Sequence, residues 1–178
     1  MVKTIVIILA VTIICQRLIE LYIAKRNREF VIKLGAKEYG ASHYYCFFVL
    51  HIGWMLGWIV ECYISGWTLN RYWYIWSTLF LLAQLLRYWC IISLGYYWNT
   101  RILVISGIQP ICCGPYRFFK HPNYMAVTLE ILSVPLLCNA IFTALFASLC
   151  NAFLLKCIRI PEEEKAVYGQ QQSLYSMK

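Results

Sequence analysis

The sequence predicts an all-α integral membrane protein of about five transmembrane helices, closed by a C-terminal helical hairpin. Three observations predict it. Apolar residues make up 61% of the 178 residues and charged residues only 13%. A soluble domain carries about a quarter charged residues, so this chain cannot cover a surface that faces water. Apolar stretches at 2–24, 43–65, 72–94 and 123–158 each reach the roughly 20 residues a bilayer core requires. The basic residues fall between these stretches in an alternating pattern.

The first stretch follows Lys3 and shows no small-residue exit, so it reads as a retained helix and not a signal peptide. Residues 25–39 mix Lys25, Arg26, Arg28, Lys33 and Lys37 with Phe30, Val31, Ile32 and Leu34, a pattern for an amphipathic helix lying on the membrane surface. The second and third stretches are ordinary spans. The last carries only Glu130 and Lys156 as charges and is too long for one span; Pro135 and Asn139 near its middle favour a break and hence a tight hairpin. Its first arm, about 15 residues or ~22 Å, is short for a crossing. The whole chain, 1–178, reads as one domain, with three helices in 1–94 and the hairpin half in 95–178.

Charge sets the orientation. The loop at 25–41 holds five basic residues, 95–121 holds Arg101, Arg117 and Lys120, and the tail holds Arg159, Lys165 and Lys178; the other side holds Lys3 and Arg71. The positive-inside rule then puts the N-terminus outside and the C-terminus in the cytoplasm. Tyr44, Tyr45, Trp67, Tyr72, Trp73, Tyr74, Tyr96, Tyr97 and Trp98 suit an interfacial aromatic belt. The net charge of +8 lies beside apolar runs and not in a basic–aromatic array, which argues against nucleic acid. Of nine cysteines, six lie inside apolar runs as small hydrophobes, and Cys112-Cys113 has no second pair or His at ligand spacing, so neither a metal site nor a disulfide framework is expected.

Three polar clusters stand where chemistry is possible: Trp98-Asn99-Thr100-Arg101; Gly114-Pro115-Tyr116-Arg117 with Lys120-His121-Pro122-Asn123-Tyr124; and Arg159 with Glu162-Glu163-Glu164. The first two precede the hairpin and the third follows it, so its two arms bring all three to one membrane face. Pro122 suits the first position of a helix and disfavours helix at His121. His121 then stands at a helix mouth, where free N–H groups and a partial positive charge attract an anion, with Arg117 and Lys120 beside it. A plain interfacial helix start would show the same residues. The Glu triplet after Pro161 can simply offset a helix dipole; alternatively it holds an ammonium group, with Arg159 fixing it. An anion site and a cation site a few ångströms apart suit a zwitterion such as the methionine end of S-adenosylmethionine. There is no G-x-G-x-x-G, P-loop, H-E-x-x-H or G-x-S-x-G motif, which excludes a soluble Rossmann-type methyltransferase.

These clusters resemble the isoprenylcysteine carboxyl methyltransferase family. The likeness rests on Ser106-Gly107, on the run from Gly114 to Tyr124, and on Arg159 to Glu164, and is strongest from Gly95 to Gly169. Lys120 stands where the family usually has Arg, which keeps the charge and loses the bidentate fork. The resemblance implies a pocket for S-adenosylmethionine at the cytosolic end of the C-terminal half. His121 and Lys120 would hold the cofactor carboxylate side, Tyr124 would line the pocket, and Glu164, assisted by Glu163, would hold the amino group. The backbone of Gly114, Pro115 and Tyr116 would pass close by. Asn99 and Arg101 would bound the reaction chamber, and Arg159 is counted with them among the candidate catalytic residues. In the N-terminal half, Gln16 to Leu21, Ala24 to Asn27, Gly35 to Gly40 and Leu86 to Trp89 resemble a bacterial branch of the family. Its members resemble O-methyltransferases of alkylpyrone or alkylresorcinol lipids made by type III polyketide synthases, and this resemblance implies a bacterial cell membrane as the location.

The expected reaction is therefore transfer of a sulfonium methyl to an oxygen of a lipid-like acceptor. A carboxylate acceptor is already ionised; a phenol or enol needs a proton acceptor. Glu130 is the candidate base, because a carboxylate inside the membrane is costly and often functional. Arg17 and Glu20 are spaced to pair along one helix, Arg87 faces either that carboxylate or the chamber, and Glu61 is expected near the outer boundary. Two other readings remain at this point: an NADPH-dependent sterol-type membrane reductase, and a non-enzymatic membrane protein.

Overall fold

The computed structural model describes the backbone of residues 1–175 and side chains through residue 167. Six helices, α1 (Val2–Lys33), α2 (Tyr44–Ile64), α3 (Trp73–Leu94), α4 (Pro122–Leu137), α5 (Ile141–Leu154) and α6 (Ile160–Tyr175), form a bundle. Two three-residue strands, β1 (Lys37–Tyr39) and β2 (Ile102–Val104), pair antiparallel with Glu38 opposite Leu103. The stretches 2–33, 41–64, 73–97 and 141–167 are long and apolar enough to cross a membrane; α4, with 16 residues, is the short arm that the sequence predicts. The protein is a multi-pass integral membrane protein. Its outer surface is apolar, with Leu56, Leu81, Leu85, Ile92, Phe142, Phe146 and Leu149 exposed, as a lipid solvent demands.

Residues 25–33 do not form the surface helix expected from their charge pattern. Nothing between Ala24 and Lys33 breaks a helix, so α1 runs straight on, and Gly35 ends it. Gly35 takes φ +86°, its N–H reaches the Ile32 carbonyl at 2.9 Å and the Ala36 N–H reaches Val31 at 3.0 Å. This is the Schellman arrangement that glycine permits. The chain then turns into β1, whose partner β2 follows α3, so the loops after α1 and α3 lie on one face.

The hairpin apex repeats this geometry with Asn139. It takes φ +58°, and Ala140 N–H closes on Pro135 O at 2.8 Å. Pro135 sits inside α4 and has no N–H for the Ile131 carbonyl one turn back. Trp54 of α2 supplies the donor instead, its indole Nε1 lying 3.0 Å from Ile131 O. At the start of α5 no residue of its own caps the free N–H groups. Glu61 reaches across from α2 to accept from Phe142 N (2.9 Å) and Thr143 N (2.8 Å), so it belongs to the apex and not to the site. Buried Ala126, Ala140, Ala144 and Ala147 let the helix backbones approach closely, and Asn151 bonds Thr128 across the hairpin at 3.1 Å.

The same membrane face as this apex holds the N-terminus and the 65–72 loop: Lys3 lies over the Trp67 ring, Asn70 N–H reaches Leu137 O at 3.1 Å, and Asn139 bonds Thr68. The opposite face gathers the end of α1, the β ribbon, the 95–121 segment and α6. Between α5 and α6 the helix loosens into a π turn, Leu155–Arg159, just before Pro161, whose ring cannot accept a tight turn behind it.

The Trp54 bond yields a test of the fold. Trp54→Phe leaves the Ile131 carbonyl unsatisfied and costs about 1–3 kcal/mol, read as a fall in Tm in detergent. Pro135→Ala restores a backbone donor, so the Trp54→Phe loss shrinks in that background. An equal loss in both backgrounds contradicts this account.

Candidate active site

The polar clusters converge on a cavity of about 440 Å³, within the range of about 300–1,000 Å³ typical of small-molecule sites. It has a polar rim, a polar side wall, an apolar throat and a charged floor.

At the rim, His121 closes the N-terminus of α4, outside the helical region at φ −131° and ψ 60°, because Pro122 follows it. Its ring stacks on Tyr124 one turn later, centroids 5.3 Å apart and planes 12° from parallel. His121 Nδ1 lies 3.7 Å from Glu163 Oε1 and Nε2 lies 3.3 Å from Glu164 Oε1. Lys120 Nζ lies 2.6 Å from the same Glu164 oxygen. The Tyr124 hydroxyl donates to Glu163, and Arg159 Nε donates to the Tyr124 oxygen at 3.0 Å. Arg159 also holds the Thr100 carbonyl at 2.9 Å, joining the hairpin to the first cluster. Hydrogen bonding to the Glu163 carboxylate, with a smaller opposing effect from burial, raises the His121 pKa above its usual 6.5. The imidazolium is therefore favoured where an anion is to be held.

Glu163 and Glu164 face different spaces. Glu163 lines the main cavity, and Glu164 lines only the adjoining, smaller cavity of about 300 Å³ formed with the 105–112 loop. His121, Lys120 and Tyr116 border both cavities. Of the Gly114–Tyr116 stretch, only Tyr116 lines a cavity. Gly114 is at φ +56° with its bare side against α3: a Cβ there would meet Ser93 Oγ at 1.9 Å. Pro115 is buried. These two residues shape the turn and do not face the cavity.

The side wall is built by the 99–101 segment. Asn99 donates to Ala24 O at 2.9 Å and accepts from Arg101 N at 3.1 Å. The Arg101 side chain pairs with Glu38 on β1 and lies 4.1 Å from the Tyr44 ring centre. Burial alone would raise the Glu38 pKa, but hydrogen bonds from Arg101 and Arg28 outweigh it and lower it. Asn27, fully buried, ties α1 to the turn through the carbonyls of Gly95 (3.0 Å) and Trp98 (2.8 Å).

The floor lies about seven residues deeper along each helix, roughly 10 Å at 1.5 Å per residue. Arg17 and Glu20 of α1 pair at 2.7 Å, as their spacing predicts. Arg87 of α3 lies 3.3 Å from the same Glu20 oxygen, and both guanidiniums pair with Glu130 of α4. Gln16 bridges Glu20 and Gln84 at 2.8 and 2.6 Å. Arg17, Glu20 and Arg87 line the cavity; Glu130 is wholly buried behind them. Tyr44, Phe47 and His51 complete the wall from one face of α2. Tyr44 belongs to the aromatic belt expected from the sequence, whereas Phe47 and His51 were not singled out there. For His51 the one signal is a lone polar residue within an apolar run, which shows no partner.

The structure thus defines a membrane-embedded helical protein with a polar site at one face and a cavity reaching into the apolar layer. A family model described as the isoprenylcysteine carboxyl methyltransferase (ICMT) family matches residues 76–169, from α3 into α6. The chain belongs to that family and is a membrane methyltransferase of this kind. It is also 41% identical over 160 residues to the uncharacterized protein YpbQ of Bacillus subtilis (strain 168), covering 90% of this chain and 95% of the relative. No solved structure matches the chain.

The raised His121 pKa has a signed consequence. Its stabilisation is complete below the unfolded-state value of about 6.5 and is lost as pH rises through the higher folded-state value. The Tm gap between the wild type and His121→Gln is widest near about pH 6 and narrows toward about pH 9. A gap that is flat or widens with pH contradicts the pairing.

Proposed function

We propose that the protein transfers the methyl group of S-adenosylmethionine to an oxygen of a lipophilic acceptor, at the cytoplasmic face of a bacterial cell membrane. The observation that carries this is one cavity joining an opposite-charge rim to an apolar throat. The residues suit the cofactor. His121 and Lys120 offer cations and Glu163 a carboxylate within the span of an amino-acid end group, and the buried Asn123 Oδ1 beside them has no hydrogen-bond partner. Glu163, as the carboxylate facing the main cavity, takes the ammonium group; Glu164 holds Lys120 and His121 at the rim.

The bound cofactor supplies the reactive sulfonium methyl, which needs no metal. The protein's own part is to place and enclose. Tyr124 and Arg159 fix Glu163, Asn99 and Arg101 wall the chamber, and the stacked His121 and Tyr124 rings shield it. Positioning of this kind is worth several kcal/mol of barrier. Ile14 and Leu18 of α1 and Phe48 and Ile52 of α2 line the throat and are 43–61% exposed, so an acceptor enters sideways from lipid between these helices. Glu130 acts through the guanidiniums that it holds in the floor. The basic loops at 25–41 and 95–121 share the rim face, which supports a cytoplasmic rim with the N-terminus outside. The bacterial branch resembled by the N-terminal half favours a type III polyketide lipid as the acceptor.

Calorimetry of the purified protein separates this reading from a reductase. S-adenosylhomocysteine binds and NADPH does not. Glu163→Gln weakens that binding about 10- to 100-fold, the range for a lost charge-assisted hydrogen bond of about 1.5–3 kcal/mol, and Glu164→Gln weakens it less. With labelled S-adenosylmethionine and membrane lipid, mass analysis shows a methyl ether. NADPH binding in place of the thioether overturns the proposal.

A further inference from the structure

Resting on that reading, we infer that His51 is the catalytic base that takes the hydroxyl proton of the acceptor. His51 lies on α2, two turns below Tyr44, on the face that also places Tyr44, Phe47, Phe48, Ile52 and Met55 along the cavity. Its Nδ1 is 2.7 Å from the Phe47 carbonyl. A carbonyl only accepts, so Nδ1 carries the hydrogen and Nε2 of the neutral ring carries a lone pair. The ring makes no other hydrogen bond among the described residues. The bond to Phe47 fixes both tautomer and ring direction, the arrangement a general base needs from its orienting group. A histidine that only filled space in a span would need no cavity beside it, and ionisable groups at such a depth are rare outside proton and substrate paths.

The other carboxylates near this depth are engaged or out of reach: the one oxygen of Glu130 without a partner, Oε1, is wholly buried, and Glu130 does not line the cavity. Glu20 accepts from Gln16, Arg17 and Arg87, and Glu130 from Arg17 and Arg87. At the rim, Glu163 and Glu164 are paired with His121, Tyr124 and Lys120. His51 is the titratable side chain of the throat with an uncommitted acceptor. Arg17 and Arg87 line the cavity, so the floor carries guanidinium charge beside the oxygen as its proton leaves. The step balances. The acceptor O–H bond breaks and its proton passes to His51 Nε2. The oxygen lone pair forms the new bond to the methyl carbon while the sulfur–methyl bond breaks and leaves its electron pair on sulfur. His51 then releases the proton to water at the rim. Arg17 and Glu20 of α1 and Arg87 of α3, which line the same cavity, and Glu130 of α4 behind them are the charged groups on the floor side of the ring.

The test compares wild type and His51→Gln on two acceptors: a long-chain alkylresorcinol, and its nitro-substituted analogue, whose hydroxyl is ionised at neutral pH. With the alkylresorcinol, kcat falls about 10²- to 10⁴-fold, the usual range for loss of a general base, while S-adenosylhomocysteine and acceptor binding measured by calorimetry change less than about threefold. With the nitro analogue, the variant turns over within about tenfold of wild type. An equal loss on both acceptors, or no loss on either, overturns the assignment of His51 and leaves the methyl-transfer reading standing. A wild-type protein that binds no S-adenosylhomocysteine overturns that reading itself.

Discussion

Hydrocarbon offers no partner to a buried charge, so each ionised group within the span must find its counter-charge on another helix. The Arg17, Glu20, Arg87 and Glu130 clasp is the solution here, and it sets the architecture around it. Hydrophobic burial cannot hold helices together against lipid tails that are equally apolar. In the apolar half of the bundle, α1 meets its neighbours through small contacts at Val6, Ala10 and Ile13. Nearer the site, the clasp joins it to α3 and α4, and Asn27 fastens its end to the 95–98 turn. Removing one member strands its partners: breaking a buried pair on one side is far costlier than replacing the whole set with apolar residues.

The hairpin solves a second problem, that of bringing residues some forty positions apart in sequence to within hydrogen-bond distance. His121 precedes α4, and Glu163 follows the π turn beyond α5. Three local devices make the return accurate. The left-handed Asn139 turns the chain, Trp54 repairs the carbonyl that Pro135 leaves free, and Glu61 caps the start of α5. None of these touches the site, yet each sets the angle or height at which the two arms reach the rim.

Much of this was legible in the sequence, for physical reasons. Apolar run length marked the spans, and Pro135 with Asn139 marked the apex, because both residues have narrow backbone preferences. The convergence of His121, Tyr124, Arg159 and the glutamates followed from the hairpin alone. What was not legible depends on partners or on phase. The β ribbon has three-residue strands, too short for an alternating pattern. The continuation of α1 to Lys33 was masked by its charge pattern, which suits a helix lying flat as well as one standing upright. Which cavity Glu163 and Glu164 each face turns on the π segment Leu155–Arg159. One extra residue in a helical turn rotates all that follows by about 100°, and nothing in Leu-Lys-Cys-Ile-Arg announces it. His51 and Glu130 each appear as a solitary polar letter in an apolar run, and only the packed bundle shows that one carries an uncommitted nitrogen beside the cavity and the other two guanidiniums.

The cavity also explains why tight and loose packing coexist in one small bundle. α3, α4 and α5 meet through buried alanines and closed hydrogen bonds, so the rim residues borne on α4 and on the end of the hairpin hold their spacing. α1 and α2 are parted along the throat by Ile14, Leu18, Phe48 and Ile52, flexible or bulky side chains without polar ties. A polar cofactor needs a rigid grip that desolvates its charges, whereas an alkyl tail needs only a greasy path and tolerates variation in length and shape. Placing the polar bonds on one side of the cavity and the dispersion contacts on the other serves both needs. The clasp at the floor is the boundary between them: it keeps α1 near enough to wall the cavity while leaving the apolar gap beside α2 that the proposed function assigns to lipid entry.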